Sequence, residues 1–408
     1  MDLQSGGSLW SRHKDKYAAY EPLRENISCD ILIVGGGIIG ALLAYKLSTE
    51  KLSVVVIDKS DIGYGSTMAS TALLMYGLDI DLTDLIEMVG EEKAVRIYKL
   101  SLSSVVEIKK IIEELGLGCD YKEKKTLYLA SNHKDAKSLR KEYEALKENG
   151  FAVDYLEHKE LAEKFSLDKE AAIIRHESAE VDPYKLTREL LRHAKERGVR
   201  IYENTEIPVG EKDNRKNCKE NFITKDGYAI TACNVVFATG YESQKYIQKD
   251  LVDLKSSYVI ASAPVPTLPS HFLTDYIVWE TARPYLYMRS TCDNRIIIGG
   301  EDEEIVDGDE RDALISRKSE SLKEKFEKLI PNMPLSIDYA WAGTFGETKD
   351  GMGYVGIPKD FENIYFILGF GGNGITFGVI ATAILTDILL NREPKNYDLF
   401  SFDRLEKR

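Results

Sequence analysis

Residues 30–40 read Asp-Ile-Leu-Ile-Val-Gly-Gly-Gly-Ile-Ile-Gly, an apolar strand that runs into a Gly-x-Gly-x-x-Gly turn and then a helix. In this pattern Gly35 permits the tight turn, Gly37 lets the backbone approach a pyrophosphate, and Gly40 lets helix and strand pack closely. The N-terminus of the helix then faces the phosphates, which its amides and dipole stabilise. The chain is therefore expected to begin its fold with a β-α-β unit that binds a dinucleotide.

A second apolar strand supports this interpretation. Residues 54–57 are Val-Val-Val-Ile, and Asp58 and Lys59 follow them. Asp58 stands at about the spacing expected for a carboxylate that binds the adenosine ribose. A glycine turn alone would also fit a structural loop, but the strand, helix, second strand and terminal Asp together predict a dinucleotide site.

Charge and cysteine content restrict the class of protein. The net charge of -13 argues against nucleic acid or an anionic membrane as the main partner, because both require a cationic surface. The five cysteines contain no Cys-x-x-Cys pair and are odd in number, which favours a reducing cytoplasm. The six histidines show no metal-binding spacing, so no metal is expected.

Strand and helix patterns indicate that the dinucleotide domain is split. A strand at 199–202, an apolar strand that ends at Thr239-Gly240, and a strand, glycine turn and helix at 364–390 extend the α/β domain. Glycines and Asp387 interrupt the apolar stretch at 364–390, so no transmembrane segment is expected. The strand-rich block at 256–300 predicts an antiparallel sheet.

The predicted fold class is α/β, with a discontinuous Rossmann-like dinucleotide-binding domain and an inserted, mainly antiparallel β substrate domain with helices. The expected boundaries are 1–28 for an N-terminal arm, 29–82, 171–245 and 346–408 for the dinucleotide domain, and 83–170 and 246–345 for the substrate domain. A nicotinamide-binding domain is usually continuous, so this layout disfavours a simple NAD dehydrogenase.

Two later motifs specify the dinucleotide. Residues 235–240 read Val-Val-Phe-Ala-Thr-Gly, and a series runs from Trp-Ala-Gly at 341–343 through Thr-Lys-Asp-Gly at 348–351 to Gly-Phe-Gly-Gly-Asn-Gly-Ile-Thr at 369–376. With the first turn, these segments resemble the FAD-dependent D-amino-acid oxidase family, which includes glycine oxidase, sarcosine oxidase and the D-amino-acid dehydrogenases. The resemblance spans residues 28–392 and implies one FAD per chain, with its flavin ring at the boundary between the domains.

The resemblance also implies which residues hold FAD. It assigns Gly35, Gly37 and Gly40 to the pyrophosphate and Asp58 to the adenosine ribose. The glycine turn that opens the last helix would face the negative charge that develops near flavin N1 on reduction. The other expected FAD-binding residues are Ile38, Ile39, Lys59, Ser66, Thr67, Ser70, Thr71, Ile207, Thr239, Gly240, Gly371, Gly372, Asn373, Gly374, Ile375 and Thr376.

The chain departs from the family at Phe345, which stands where relatives place an arginine that binds the substrate carboxylate. The strand pattern at residues 285–289 suggests a substitute, since period two puts Tyr285, Tyr287 and Arg289 on one face. We expect this face to line the substrate cavity, with Arg283 as a second candidate cation. The alternative is that the face covers exposed sheet.

Covalent attachment of FAD is not expected. Relatives that tether the cofactor use a histidine where this chain has Met68-Ala69, or a cysteine near residues 344–352, which contain none. The resemblance therefore implies a dissociable FAD.

The expected function is oxidation of a CH–NH bond in a small amine or amino acid, by hydride transfer to flavin N5. One alternative is a flavin dehydrogenase for a CH–OH bond, in a 2-hydroxy acid or a polyol phosphate. Another is a non-catalytic FAD-binding subunit that relays electrons. A protein electron acceptor is a possible partner in either case.

Overall fold

The computed structural model describes residues 3–208, 220–247, 249–266, 271–331 and 333–405. Its strands are β1 (Gln4–Gly6), β2 (Ile27–Val34), β3 (Val54–Ile57), β4 (Leu73–Met75), β5 (Lys122–Leu129), β6 (Val153–Glu157), β7 (Ala171–Glu180), β8 (Arg200–Tyr202), β9 (Glu220–Ile223), β10 (Ala229–Phe237), β11 (Asp253–Ser262), β12 (Tyr276–Glu280), β13 (Leu286–Ser290), β14 (Ile296–Glu303), β15 (Ile337–Glu347), β16 (Tyr354–Gly356) and β17 (Ile364–Leu368). Its helices are α1 (Ile38–Leu47), α2 (Ser66–Ala69), α3 (Leu82–Val89), α4 (Glu91–Leu115), α5 (His133–Glu148), α6 (His158–Phe165), α7 (Pro183–Glu196), α8 (Ser243–Ile247), α9 (His271–Asp275), α10 (Gly308–Leu329) and α11 (Gly374–Leu389), with 3₁₀ turns at Leu9–Lys16, Gly240–Glu242, Tyr397–Leu399 and Phe402–Leu405.

The first sheet is the predicted dinucleotide-binding sheet. Its order is β16-β17-β10-β2-β3-β8, with β9 paired to β10. Five of its strands, β17, β10, β2, β3 and β8, are parallel to one another. Their carboxyl ends therefore meet at one edge, where ligands bind in open α/β sheets.

The glycine turn between β2 and α1 depends on two close backbone contacts. Gly35 has φ +112°, and a Cβ atom there would lie 2.5 Å from the Ala238 carbonyl oxygen. A Cβ atom at Gly40 would lie 1.9 Å from the Gly35 carbonyl oxygen. Both positions require glycine, as the motif predicts: a side chain at Gly35 would overlap the backbone after β10, and one at Gly40 would separate the helix from the sheet.

The second sheet is mainly antiparallel. Its order is β1-β15-β11-β14-β13-β12-β5-β7-β4, with β6 paired to β7. Only the β12–β5 pair is parallel among the strand pairs of the described residues in this sheet. Helix α10 packs on β11, β14 and β15. The predicted combination of a split Rossmann-like unit and an inserted antiparallel sheet is confirmed.

Some segments lie in a different part of the fold from the expected one. Strands β4 and β7 pair with each other in the antiparallel sheet, although residues 29–82 and 171–245 were expected in the dinucleotide domain. The chain returns to that domain only at α7, which packs against α1. Within the expected arm, β1 pairs with β15 and Trp10 is buried. Helix α4, expected in the substrate domain, shares a hydrophobic core with α1, α7 and α11.

We expect Gly40→Ala to lower the free energy of unfolding by about 1–3 kcal/mol, because its methyl group would overlap the Gly35 carbonyl oxygen. Denaturation in urea checks this value. Gly118→Ala is the matched control, since a Cβ atom there meets nothing within 4 Å. Equal stability of the two variants would contradict the close contact of α1 and β2.

Candidate active site

A cavity of about 580 Å³ lies between the two sheets, at the carboxyl ends of the parallel strands. The expected FAD-binding residues that line it are Gly35, Gly37, Ile38, Ile39, Asp58, Lys59, Ser66, Thr67, Ser70, Thr71, Ile207, Thr239, Gly240, Gly371, Gly372, Asn373, Gly374 and Ile375. Gly40 and Thr376 are not part of this lining: Gly40 packs the helix onto the strand, and Thr376 donates its hydroxyl to the Asn373 carbonyl at 3.0 Å.

Asp58 follows β3 and is held by two backbone amides. Its Oδ2 accepts the Gly36 N–H at 2.7 Å and its Oδ1 accepts the Ser60 N–H at 2.9 Å. Burial raises the pKa of Asp58 to about 6, while these amides and Lys59 lower it. Each carboxylate oxygen can accept a second hydrogen bond. Asp58 is therefore suited to accept a hydrogen bond from a ribose hydroxyl.

The polar segment from Ser66 to Thr71 crosses the cavity next to the glycine turn. Thr67 Oγ1 accepts the Ile38 N–H at 3.0 Å, which joins the segment to the start of α1. Ser66 Oγ is buried and has no protein partner. A buried hydroxyl without a partner beside a glycine turn fits a phosphate oxygen, so the donors present match the pyrophosphate of a dinucleotide.

Residues of the N-terminal segment and of β15 fix the same polar segment from behind. Ser8 Oγ donates to the Met68 carbonyl at 2.6 Å, and Trp10 Nε1 donates to the Ser70 carbonyl at 2.7 Å. Trp341 Nε1 donates to the Ala69 carbonyl at 2.9 Å. The carbonyls of Met68, Ala69 and Ser70 thus accept hydrogen bonds from the protein, on the side of the segment away from the cavity.

The C-terminal glycine turn has an acidic neighbour that the sequence motifs did not indicate. Gly371 has φ +53°, and the Gly372 N–H donates to Asp79 Oδ2 at 2.8 Å. Burial raises the pKa of Asp79, whereas the Gly372 amide and Arg283 lower it. Asp79 therefore accepts a hydrogen bond from one of the amides that were expected to face the flavin. Its negative charge reduces the positive potential at the N-terminus of α11.

Aromatic side chains of the antiparallel sheet form the opposite end of the cavity. Tyr285 and Tyr287 line it as expected, together with Trp279 and Phe345. Tyr285 donates its hydroxyl to the Asp79 carbonyl at 3.0 Å. Burial and the charge of Asp302 raise the pKa of Tyr287 well above its usual range, so this phenol stays neutral.

Arg289 does not line the cavity, although the strand pattern placed it on the same face as the tyrosines. Its guanidinium donates to the carbonyls of Thr71 at 2.8 Å and Val181 at 2.9 Å, and Nη1 lies 3.5 Å from the Glu180 carboxylate. The side chain lies beyond the cavity and is 2% exposed. These partners occupy its donors, and the expectation that Arg289 lines the cavity is wrong.

Sequence patterns missed Trp279, Asp79 and Asp302 as cavity residues. One signal was available: Gly299 and Gly300 lie within β14, and glycine in a strand often marks a close approach of other groups. A Cβ atom at Gly299 would lie 2.3 Å from the Tyr287 ring. Gly299 thus leaves room for the Tyr287 ring, and Gly300 precedes Asp302 by two residues.

One group with metal-ligand chemistry lies away from the cavity. Ligand atoms of His13, Asp120 and Asp182 come within 4.8 Å of one another. His13 Nε2 accepts the Arg12 Nε–H at 3.1 Å, and Lys185 pairs with Asp120 at 2.6 Å. Basic side chains therefore already occupy the positions that a cation would take.

A dinucleotide cavity at the carboxyl edge of a split parallel sheet, closed by an antiparallel sheet, defines a flavin-dependent oxidoreductase. A family model described as FAD dependent oxidoreductase matches residues 30–388, and the chain belongs to that family. FAD is therefore its cofactor. Within the described residues, no helix is long and apolar enough to cross a membrane.

Known proteins similar to the chain agree with this assignment. A protein named putative Rieske 2Fe-2S iron-sulfur protein YhfW, from Bacillus subtilis (strain 168), is 25% identical over 97% of this chain and 75% of its own length. Gamma-glutamylputrescine oxidoreductase from Escherichia coli (strain K12) is 24% identical over 97% of this chain and 91% of its own length. The crystal structure of glycine oxidase from Geobacillus kaustophilus has a TM-score of 0.78 at 22% identity, over 92% of this chain and 99% of that chain.

Affinity for FAD should depend on the charge of Asp58. Acidification from about pH 7.5 to about pH 5 should raise the dissociation constant of FAD about tenfold, because protonation removes an acceptor from a group with a pKa of about 6. Fluorescence titration of the apoprotein measures this constant. The Asp58→Asn variant should bind FAD more weakly at both pH values, and its dissociation constant should no longer change between them. A pH dependence that persists in this variant would mean that another group is responsible.

FAD should leave the protein on acid precipitation, with the yellow colour in the supernatant. The described residues that line the cavity include no histidine or cysteine that could tether the flavin. Absorbance of the washed pellet and the supernatant at the flavin maximum measures the release. Flavin colour retained by the pellet after unfolding in guanidinium would contradict the prediction.

Proposed function

We propose that the chain oxidises a CH–NH bond of a small amine or amino acid. The observation that carries the proposal is the continuity of one cavity from the glycine turn at Gly35–Gly37 to the aromatic wall of Tyr285 and Tyr287. This continuity supports the proposal, because a small substrate at the aromatic wall would lie beside the flavin end of the cofactor site, and two of the similar proteins are named for oxidation of amino compounds.

The chemistry requires positioning more than acid–base groups. FAD would supply a hydride acceptor: the carbon next to the substrate nitrogen would give up the hydride, that nitrogen would lose a proton, and water would hydrolyse the imine product. Tyr285, Tyr287 and Phe345 provide flat apolar surfaces that hold a small substrate and exclude water from it. The N-terminus of α11 provides a positive potential for the developing negative charge, reduced by Asp79.

Electron delivery to a protein is a second candidate, and one comparison favours it. The similar protein from Bacillus subtilis is named as an iron-sulfur protein, and the chain spans 75% of its length. A flavin that passes electrons to an iron-sulfur partner would act as a dehydrogenase or a relay. The cytoplasm is the compartment we propose, since the described cysteines Cys29, Cys119, Cys233 and Cys292 are free thiols.

Anaerobic mixing with substrate tests the proposed function. Small primary and secondary amines or amino acids should bleach the flavin absorbance near its visible maximum, whereas 2-hydroxy acids and polyol phosphates should not. Dithionite provides the control for full reduction. Bleaching by hydroxy compounds alone would replace the proposal with CH–OH oxidation, and bleaching by dithionite but by none of the amino or hydroxy compounds would favour the relay.

A further inference from the structure

A second cavity of about 570 Å³ adjoins the first on the side of the antiparallel sheet. The linings of the two cavities share six residues: Asp79, Tyr285, Asp302, Phe370, Gly371 and Asn373. The second cavity is also lined by Glu303, Glu304 and Glu347. A molecule that passes between the two must therefore pass two carboxylates at their junction.

The cations that line the two cavities within the described residues all have partners. Lys59 lies at the Asp58 end and pairs with Glu242 at 2.7 Å. Lys255 pairs with Glu347 at 2.8 Å. The Arg283 guanidinium stacks on the Tyr285 ring at 3.5 Å and donates to the Asp79 carbonyl at 3.1 Å.

The Asp302 carboxylate can accept a further hydrogen bond at the junction of the two cavities. Its Oδ1 is buried and has no hydrogen-bond partner among the described residues. Burial raises the pKa of Asp302 and the charges of Asp79 and Glu347 also raise it, whereas a hydrogen bond with the Ser257 side chain and the charge of Lys255 lower it. A carboxylate in this position is destabilised until a cation arrives, because desolvation and like charges both oppose its ionised form.

We propose that the substrate is an amine with a second positive charge, such as an alkyl diamine, and that Asp302 binds its distal ammonium group at the junction of the cavities. This inference rests on the proposed function and names its substrate class. Phe345 agrees with it, since an apolar ring suits a methylene chain and offers nothing to a carboxylate.

The distal nitrogen is the one that Asp302 holds, for a chemical reason. A nitrogen that gives up a hydride from its neighbouring carbon must be neutral, whereas an ammonium paired with a carboxylate is kept charged. Asp302 lines both cavities, so the reacting end of a diamine can extend past Tyr287 into the first one. The chain between the nitrogens then lies along the aromatic wall.

The test compares three compounds that differ only at the distal end. Anaerobic reduction of the FAD-loaded protein is followed with alkyl diamines of about three to five carbons, with the alkyl monoamines and with the ω-amino acids of equal length. The half-saturating concentration should be lowest for a diamine, higher by about tenfold to a hundredfold for the monoamine, and highest for the amino acid.

Two variants assign the effect to Asp302. Asp302→Asn should raise the half-saturating concentration of the diamine by about tenfold to a hundredfold, and the ratio between the monoamine and diamine values should fall by the same factor. Asp312→Asn removes an exposed carboxylate elsewhere and should change neither value. Circular dichroism and flavin content show whether each variant is folded and loaded.

The outcomes separate the substrate class from the proposed function. Equal or better reduction by the monoamine or the ω-amino acid overturns the inference and leaves amine oxidation intact. Reduction by hydroxy compounds alone overturns the proposed function, and the inference with it. A diamine preference that survives in Asp302→Asn overturns the role of Asp302.

Discussion

The contact between α1 and β2 at Gly40 is the constraint on which the cofactor site depends. Because the Gly35 carbonyl lies where a Cβ atom of residue 40 would be, the helix can approach the sheet closely enough for its first turn to reach the cavity. The same approach brings Gly36 to Asp58 and Ile38 to Thr67. One backbone contact thus sets the positions of the ribose ligand and of the polar segment together.

The polar segment from Ser66 to Thr71 joins the two halves of the molecule. Its hydroxyl-bearing residues line the cavity, while its carbonyls accept hydrogen bonds from Trp10, Trp341 and Arg289, which belong to the N-terminal segment and the antiparallel sheet. Arg289 therefore helps to hold this segment in position, although it lies outside the cavity lining. Any shift of the antiparallel sheet would move the walls of both ends of the cavity.

The cofactor end could be predicted from the sequence, and the substrate end only in part. Glycines such as Gly35 and Gly40 report backbone geometry directly, so their motif specifies a local structure with few alternatives. Period two placed Tyr285 and Tyr287 correctly, but it could not show that Glu180, on β7, lies within reach of Arg289. Asp79 and Asp302 are far apart in the sequence but line the same cavity, and sequence patterns carry no information about such pairs.

The pairing of β1 with β15 has a consequence for how the protein folds. Residues 4–6 bind a strand more than three hundred residues later, and α1 packs against α11 near the other end of the chain. Neither sheet can reach its final form during early synthesis, because β15 and β17, which complete the two sheets, are made more than three hundred residues after β1 and β2. The apolar strands β2 and β3 stay without their full cover until then, and the apolar surface that they expose favours aggregation.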